Sequence, residues 1–264
     1  MSFKVSKNTY RCFVCGESGG PIDLVMKYLR KDFREACRWL ADENNIIVSS
    51  FMGQDSGVQE SKPFDASRYE RFFERPWLND EARKFLLEER RLDPRVVRWC
   101  RLTSWKDKQG VPWLQTPYYD QEGKLIGIQN RNLVKGATPR FRFPQGSQCN
   151  LYGLPVLNLL KPGETLFITE GCSDCWAMLS AGHKAIAIPS ATLLSRKDKE
   201  LLLSLSSSLS LTFAMYPDND TPGERLFLQL QEVLPSLVRH QLPVGCKDFS
   251  DYYVSIKRKE ADHG

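Results

Sequence analysis

The sequence predicts an α+β N-terminal part followed by an α/β domain built on a parallel sheet. Two patterns carry this. Beyond Pro162, apolar strand-like runs alternate with helical periodicity four times, as expected of strands joined by crossover helices. Before Pro162, short strand-like pieces, helical stretches and a hairpin follow one another without that alternation. The 264 residues suffice for one large domain or two modest ones with proper cores.

Residues 1–48 read as a compact unit. Phe3–Val5 and Thr9–Phe13 are expected as short strands, and Ile22–Leu29 and Phe33–Leu40 carry apolar residues at helical spacing. Residues 49–64 are largely polar and aperiodic, with Gly and Ser, and are expected as a linker. Residues 65–103 are helical in pattern, with Asp93-Pro94 as a cap followed by a proline start. VPWLQTPYYD and KLIGIQNRNL flank QEG, which predicts a β-hairpin, and a short strand is expected at Arg140–Phe143. These elements make a basic subdomain over 65–160. The α/β domain then covers 161–257, before a tail at 258–264. In it, strands at 165–169, 184–188, 211–216 and QLPVG (241–245) lead to helices at 173–182, 195–206, 223–238 and 248–256.

Charge is unevenly spread. Residues 1–150 hold 26 Lys+Arg against 19 Asp+Glu, whereas 151–264 hold 11 against 13. Gly123 to Gly163 has no acid but carries Lys124, Arg131, Lys135, Arg140, Arg142 and Lys161. Such a stretch is either a solvated charged face or a surface that guides a polyanion toward the acidic half. No apolar run is long enough for a membrane span, and the N-terminus lacks the apolar core of a secretory signal. Eight cysteines in a chain of this length read as reduced thiols in a cytoplasmic protein.

Three expected strand ends terminate in acids: Glu170 with Asp174 one turn on, then Asp218 and Asp220, then Asp248 and Asp251. Ligands of open α/β sheets bind beyond the carboxyl ends of strands. Carboxylates converging there would form a hard-oxygen site suited to Mg²⁺ or Mn²⁺. Acids at loop starts are also common helix caps, which is the alternative for Asp174 and Asp248. Gly171 would allow a tight turn beside Glu170, and the free N–H groups at Gly223 would favour phosphate.

E-G-x-x-D after one strand and D-x-D-x-x-G after a later one resemble the Toprim domain of primases, topoisomerases and some nucleases, over roughly residues 163–257. That resemblance implies an acid/base or metal-ligand role for Glu170, and metal binding by Asp218 and Asp220. KDFSDYY resembles the family's K-D-x-x-D-Y form, with Ser250 where primases of the main bacterial type carry their second aspartate. SFKVSKNTYRCFVCGESGG resembles the second half of the primase zinc ribbon, with Cys12 and Cys15 as one ligand pair. The resemblance places the other pair, Cys-x2-His, upstream of Met1, so zinc is expected only with that pair. Cys172 and Cys175 also have C-x2-C spacing, but lie inside the E-G-x-x-D turn and are expected as packing residues, like Cys37, Cys100, Cys149 and Cys246.

Residues 123–157 are similar to the N-terminal subdomain of the DnaG-like primase core, through Gly127 and Arg131, Pro139-Arg140-Phe141 and Leu151-Tyr152-Gly153-Leu154. Arg131 and Arg140 would touch template backbone or nucleotide phosphates. Phe141 and Phe143 would either stack on bases or face the strand core. A lysine that the family places before L-Y-G-L is replaced here by the Ser147-Gln148-Cys149 stretch. Residues 82–103 resemble the helical leader of that core, where structure rather than chemistry is expected.

The order of zinc-ribbon half, linker, basic subdomain and Toprim domain resembles a DnaG-like primase. It implies metal-dependent synthesis of short RNA primers from ribonucleoside triphosphates on single-stranded DNA. The alternatives are a non-catalytic single-strand-binding accessory protein and a Toprim nuclease. No G-x-x-x-x-G-K-[ST] occurs, so the expected setting is a phage or mobile element with a separately encoded replicative helicase.

Overall fold

The computed structural model describes residues 1–4, 8–14, 16–43, 63–189 and 196–262. Contacts divide the chain into two units, one of Met1–Ser56 with Thr138–Arg140 and one of Gly57–Ala137 with Phe141–Gly264.

In the first unit, β1 (Ser2–Lys4), β2 (Thr9–Arg11) and β3 (Ser18–Gly19) form an antiparallel sheet in that order. Tyr10 at its centre is buried. Helix α1 (Pro21–Tyr28) starts on a proline, whose missing N–H costs nothing there, and Asp23 accepts the Gly20 N–H at 2.8 Å. Helix α2 (Phe33–Glu43) packs beside α1, burying Val25, Ala36 and Ala41. Cys15 and all but the last two residues of the expected linker lie outside the described residues.

In the second unit a 3-10 turn at Ala66–Arg68 leads into α3 (Glu70–Glu74) and α4 (Asp80–Arg83). A single π-helical turn at Lys84–Glu89 follows, then α5 (Pro94–Trp99). Asp93 caps α5 as expected, accepting the Arg95 N–H at 2.7 Å. The helical stretch expected to residue 103 ends earlier, because Thr103 already pairs with Gln115. An antiparallel sheet follows, made of β4 (Thr103–Lys106), β5 (Pro112–Tyr119), β6 (Leu125–Asn132) and β7 (Phe141–Arg142) in that order. The predicted hairpin is β5–β6, and Asp120 fixes its turn by accepting the Lys124 N–H at 2.7 Å.

The second sheet of this unit is parallel: β8 (Thr165–Glu170), β9 (Lys184–Ile188), β10 (Thr212–Met215) and β11 (Val238–Arg239), ordered β11-β10-β8-β9. Helices α6 (Cys172–Ser180), α7 (Arg196–Leu209), α8 (Thr221–Val233) and α9 (Phe249–Asp262) connect and follow the strands. Leu166, Ile168, Ile186, Phe213 and Met215 of the strands share one apolar core with Leu202, Leu205, Leu226 and Leu230 of the helices.

Several elements differ from expectation, among them α9, which runs on through Asp262 where a tail is expected from 258. The helix predicted to 238 stops at Val233, and the last strand is Val238–Arg239 rather than QLPVG. Pro235 explains the end of that helix, since it disfavours helix at the residue before it and cannot donate to the i−4 carbonyl. Leu237-Val238-Arg239 is thereby released to run extended, while Pro243 lacks the N–H that a ladder through QLPVG would need.

Candidate functional site

Strand β8 connects through α6 to β9 on one side, while β10 lies against its other side. The chain direction therefore switches between β8 and β10, where the ends of neighbouring strands leave an open crevice. Glu170 is the last residue of β8. Ala214 of β10 pairs with Phe167 of β8, so the chain beyond Met215 emerges beside Glu170 and carries Asp218 and Asp220 there.

Local chemistry fixes each acid. Gly171 has φ +88° and ψ 159°, a backbone that L side chains rarely adopt, and it turns the chain directly into α6. Asp220 caps α8, its Oδ1 accepting the Gly223 N–H at 3.0 Å. That N–H is thus already used, which corrects the expectation that it stands free for phosphate. Glycine is required at 223 for another reason: a Cβ there would lie 2.5 Å from the Asp218 carbonyl oxygen and 2.8 Å from its nitrogen. Asn219 ties the loop to the preceding turn of α9, its N–H donating to the Lys247 carbonyl at 2.8 Å and its side-chain amide to the Cys246 carbonyl at 2.7 Å.

Asp174 is no cap. It sits inside the first turn of α6, 6% exposed, and its Oδ1 accepts the Ser250 N–H at 2.8 Å. Asp248 does act as a cap, its Oδ1 accepting the Asp251 N–H at 2.8 Å at the start of α9. Asp251 is exposed, its Oδ2 3.4 Å from the Lys247 N–H.

These carboxylates share one electrostatic neighbourhood. Burial, then the charges of Asp174, Glu170, Asp248 and Asp220, push Asp218 up to about 9. Asp174 is pushed up to about 8 by burial and then Asp248, with the Ser250 N–H and Arg90 pulling the other way. Glu170 is raised by burial and by Asp220, and its Oε2 is buried with no hydrogen-bond partner. A buried orphan oxygen beside mutually repelling acids is what a divalent cation would relieve. The donor set, all carboxylate oxygen, suits Mg²⁺ or Mn²⁺. Among the described residues, no three acid, His or Cys side chains already stand together as a closed metal cage. The acids are gathered at one end of the sheet without being drawn into a ligand shell.

Two cations at this site were not singled out from the sequence. Lys247 Nζ lies 3.6 Å from Asp220 Oδ2 and lowers Glu170. Arg90 Nη1 donates to Ser250 Oγ at 3.0 Å and acts on Asp174. Arg90 comes from the segment expected to supply only structure, directly after the π turn, and no spacing in the sequence marks it. Lys247 could have been found, because it opens the K-D-x-x-D motif.

Within the second unit, the basic residues do not converge on one spot. Lys124 stands at the hairpin turn and Arg131 near the far end of β6. Seven residues of strand place them roughly 23 Å apart along the chain. Arg131 pairs with Phe141 and Arg142 with Asn130, so the two arginines project from opposite faces of the sheet. The Arg131 guanidinium lies 4.7 Å from the Phe85 ring and 5.9 Å from that of Phe141, and Arg142 lies 4.5 Å from Trp113. Lys135 is exposed in the loop after β6, and Arg140 is exposed in the first unit. Gly127 has a packing role, since a Cβ there would come within 2.7 Å of the Gln148 backbone.

L-Y-G-L is a joint. Tyr152 exchanges backbone hydrogen bonds with Ala187 of β9 at 2.9 and 3.0 Å. Its ring meets Tyr118 and Trp176 edge-on, and its hydroxyl accepts the Trp176 indole N–H at 2.8 Å. Cys172 and Cys175 are packing residues, as expected. The Tyr118 hydroxyl and Cys172 Sγ lie 3.2 Å apart, and Cys175 Sγ donates to the Ala185 carbonyl at 3.3 Å. Burial pushes the Cys172 thiol up to about 12, against the thiolate that zinc requires. Cys12 is half-buried in the turn after β2.

The family model for the CHC2 zinc finger of DnaG-type zinc ribbons matches residues 1–55. The DNA primase of Clostridium acetobutylicum is 27% identical over 284 residues, covering 88% of this chain and 46% of that protein. The Helicobacter pylori J99 DNA primase is 25% identical over 250 residues, covering 77% of this chain and 44% of that protein. The chain thus spans about half the length of the curated relatives it matches. The Aquifex aeolicus primase structure (zinc-binding and RNA polymerase domains) superposes with a TM-score of 0.56 at 19% identity, covering 99% of this chain and 73% of that one. The primase fragment of the bacteriophage T7 primase-helicase gives 0.53 at 15% identity, covering 98% and 90%. A DnaG catalytic domain bound to single-stranded DNA gives 0.50 at 19% identity, covering 74% of both chains.

Proposed function

We propose that this chain, whose mixed α/β fold matches the cores of DnaG-type primases, is a DNA primase that makes short RNA primers on single-stranded DNA. The single observation that carries the reading is the acid-lined crevice at the β8/β10 switch point, with its orphaned Glu170 oxygen. In this reading 161–257 is a Toprim domain, 65–160 the basic subdomain that leads the template to it, and 1–48 a zinc-ribbon half. Glu170, Asp218 and Asp220 would hold Mg²⁺ or Mn²⁺, with Asp174, Asp248 and Asp251 around them. The bound ions would orient the triphosphate and stabilise charge on the attacking and leaving oxygens.

The chain's own groups do the rest. Asp220 and Asn219 hold the loop against α8 and the turn before α9. Lys247, 3.6 Å from Asp220, would meet a phosphate held beside that carboxylate. Arg131, set between the Phe85 and Phe141 rings, offers a guanidinium to the backbone phosphate of a template or nucleotide. Zinc would be held by Cys12 and Cys15 only together with the Cys-x2-His pair that the resemblance implies. The phage or mobile-element setting and a separately encoded helicase belong to the same proposal.

The test is primer synthesis on single-stranded templates with Mg²⁺ or Mn²⁺, comparing wild type with Asp218→Ala. Primers made by wild type and lost in the variant are expected. Primers that persist in the variant would remove Asp218 from the metal site. Template binding with no primer from wild type would favour an accessory single-strand binder.

A further inference from the structure

The acid-lined crevice is not the only concave site of the second unit. A cavity of about 430 Å³ opens where the end of α5 meets the β5–β6 turn and the L-Y-G-L segment, lined by Arg98, Trp99, Arg101, Tyr119, Gly123 and Gly153, among others. Among the described residues, no acidic one lines it. The site carboxylates Glu170, Asp174, Asp218 and Asp248 are not part of it.

The lining has two chemistries. Arg98 and Arg101 are both exposed, and neither makes a salt bridge among the described residues. Arg98 helps to lower Asp93, and Glu70 helps to raise Tyr119. Asp93 is already committed to the Arg95 guanidinium at 2.7 Å and to the Arg95 N–H. Arg101 has φ +50°, and its guanidinium lies 5.5 Å from the centroid of the Tyr119 ring, which lines the same cavity. The second chemistry is planar and apolar: Trp99 is 44% exposed and Tyr119 is half-buried. Arginines near a helix C-terminus complement its dipole. That explains their sign but not an exposed indole beside them, nor a hollow of this size.

We propose that this cavity is a nucleotide-binding site separate from the carboxylate crevice. Its two guanidiniums take a phosphate group and Trp99 stacks on the base. The volume lies in the range of small-molecule sites. Guanidinium forks match phosphate, and every base offers a face to an indole. The occupant is a free nucleotide or one nucleotide unit of a single strand, two sources of one chemistry. Nothing in this assignment depends on primer synthesis, so the two proposals fail separately.

The test is calorimetric titration of the full chain in EDTA, which keeps divalent cations from the carboxylates. The probes are adenosine monophosphate, a single-stranded hexathymidylate and inorganic phosphate. Adenosine monophosphate or the oligonucleotide is expected to bind below roughly 1 mM. Arg98→Ala/Arg101→Ala should weaken binding by roughly tenfold or more, and Trp99→Ala by roughly tenfold, while Asp218→Ala should not change it. Tighter binding of the monophosphate assigns a free nucleotide, and tighter binding of the oligonucleotide assigns a strand. Undiminished binding by the arginine variant, inorganic phosphate binding as tightly as the nucleotide, or no binding at all overturns the proposal. Should the double variant melt early, exposed Arg98→Ala alone gives the same readout.

Discussion

The backbone N–H of Ser250 donates to Asp174 Oδ1 at 2.8 Å, while the Ser250 hydroxyl accepts from Arg90 at 3.0 Å. One fully buried serine thus links a carboxylate and a guanidinium from segments far apart in the sequence. Ser250→Ala keeps the N–H but leaves Arg90 without this acceptor, and should cost about 1 kcal/mol of stability. Arg90→Met should cost more, because it also removes a positive charge acting on Asp174. Denaturant unfolding of the two variants checks the order.

Stability without metal should fall as pH rises. Asp174 at about 8 and Asp218 at about 9 both lie above the ordinary carboxylate value. Between about pH 4 and 9 the folded state therefore holds protons that the unfolded chain has released. The Tm in EDTA should drop across that window, and Asp218→Asn should flatten the drop. A divalent ion replaces those protons, so Mg²⁺ should raise Tm more at pH 8.5 than at pH 5.5. Thermal melts with and without Mg²⁺ at both pH values are the measurement.

Gly223→Ala should damage the site from outside it. The new Cβ would meet the Asp218 backbone at 2.5–2.8 Å, and backbone cannot rotate away. We expect a loss of roughly 1–3 kcal/mol together with weaker Mn²⁺ binding, read by calorimetry and melting.

Tyr152→Phe keeps the edge-on rings but strands the Trp176 indole N–H in a buried setting. An unsatisfied buried donor costs roughly 1–3 kcal/mol. A thermal melt that shows the variant as stable as wild type would mean that the Tyr152–Trp176 hydrogen bond adds nothing to this joint.

Much of this was legible in the sequence because its signals were local. Alternation of strand and helix gave β8, β9 and β10 nearly to the residue, and Asp93-Pro94 marked a helix start. The β8 and β10 acids stood out in the sequence because strand ends are where such sheets bind. What stayed hidden was long-range. Arg90 reaches Asp174 only through tertiary contact, after a π turn that no spacing announces. The faces of Arg131 and Arg142 follow from which residue of β6 each of β7's two residues meets, and a two-residue strand has no periodicity to reveal that. Pro235 was legible, and reading it would have placed β11 correctly.

The opposite facing of Arg131 and Arg142 bears on the mechanics of any ligand that touches both. Strand β7 is an outer strand of its sheet, so such a ligand must double back around that rim. Duplex DNA, stiff over roughly 150 base pairs, does not fold over an edge one sheet thick. A single strand bends freely at that scale. Grip by both arginines would therefore sort nucleic acids by stiffness before any base is read.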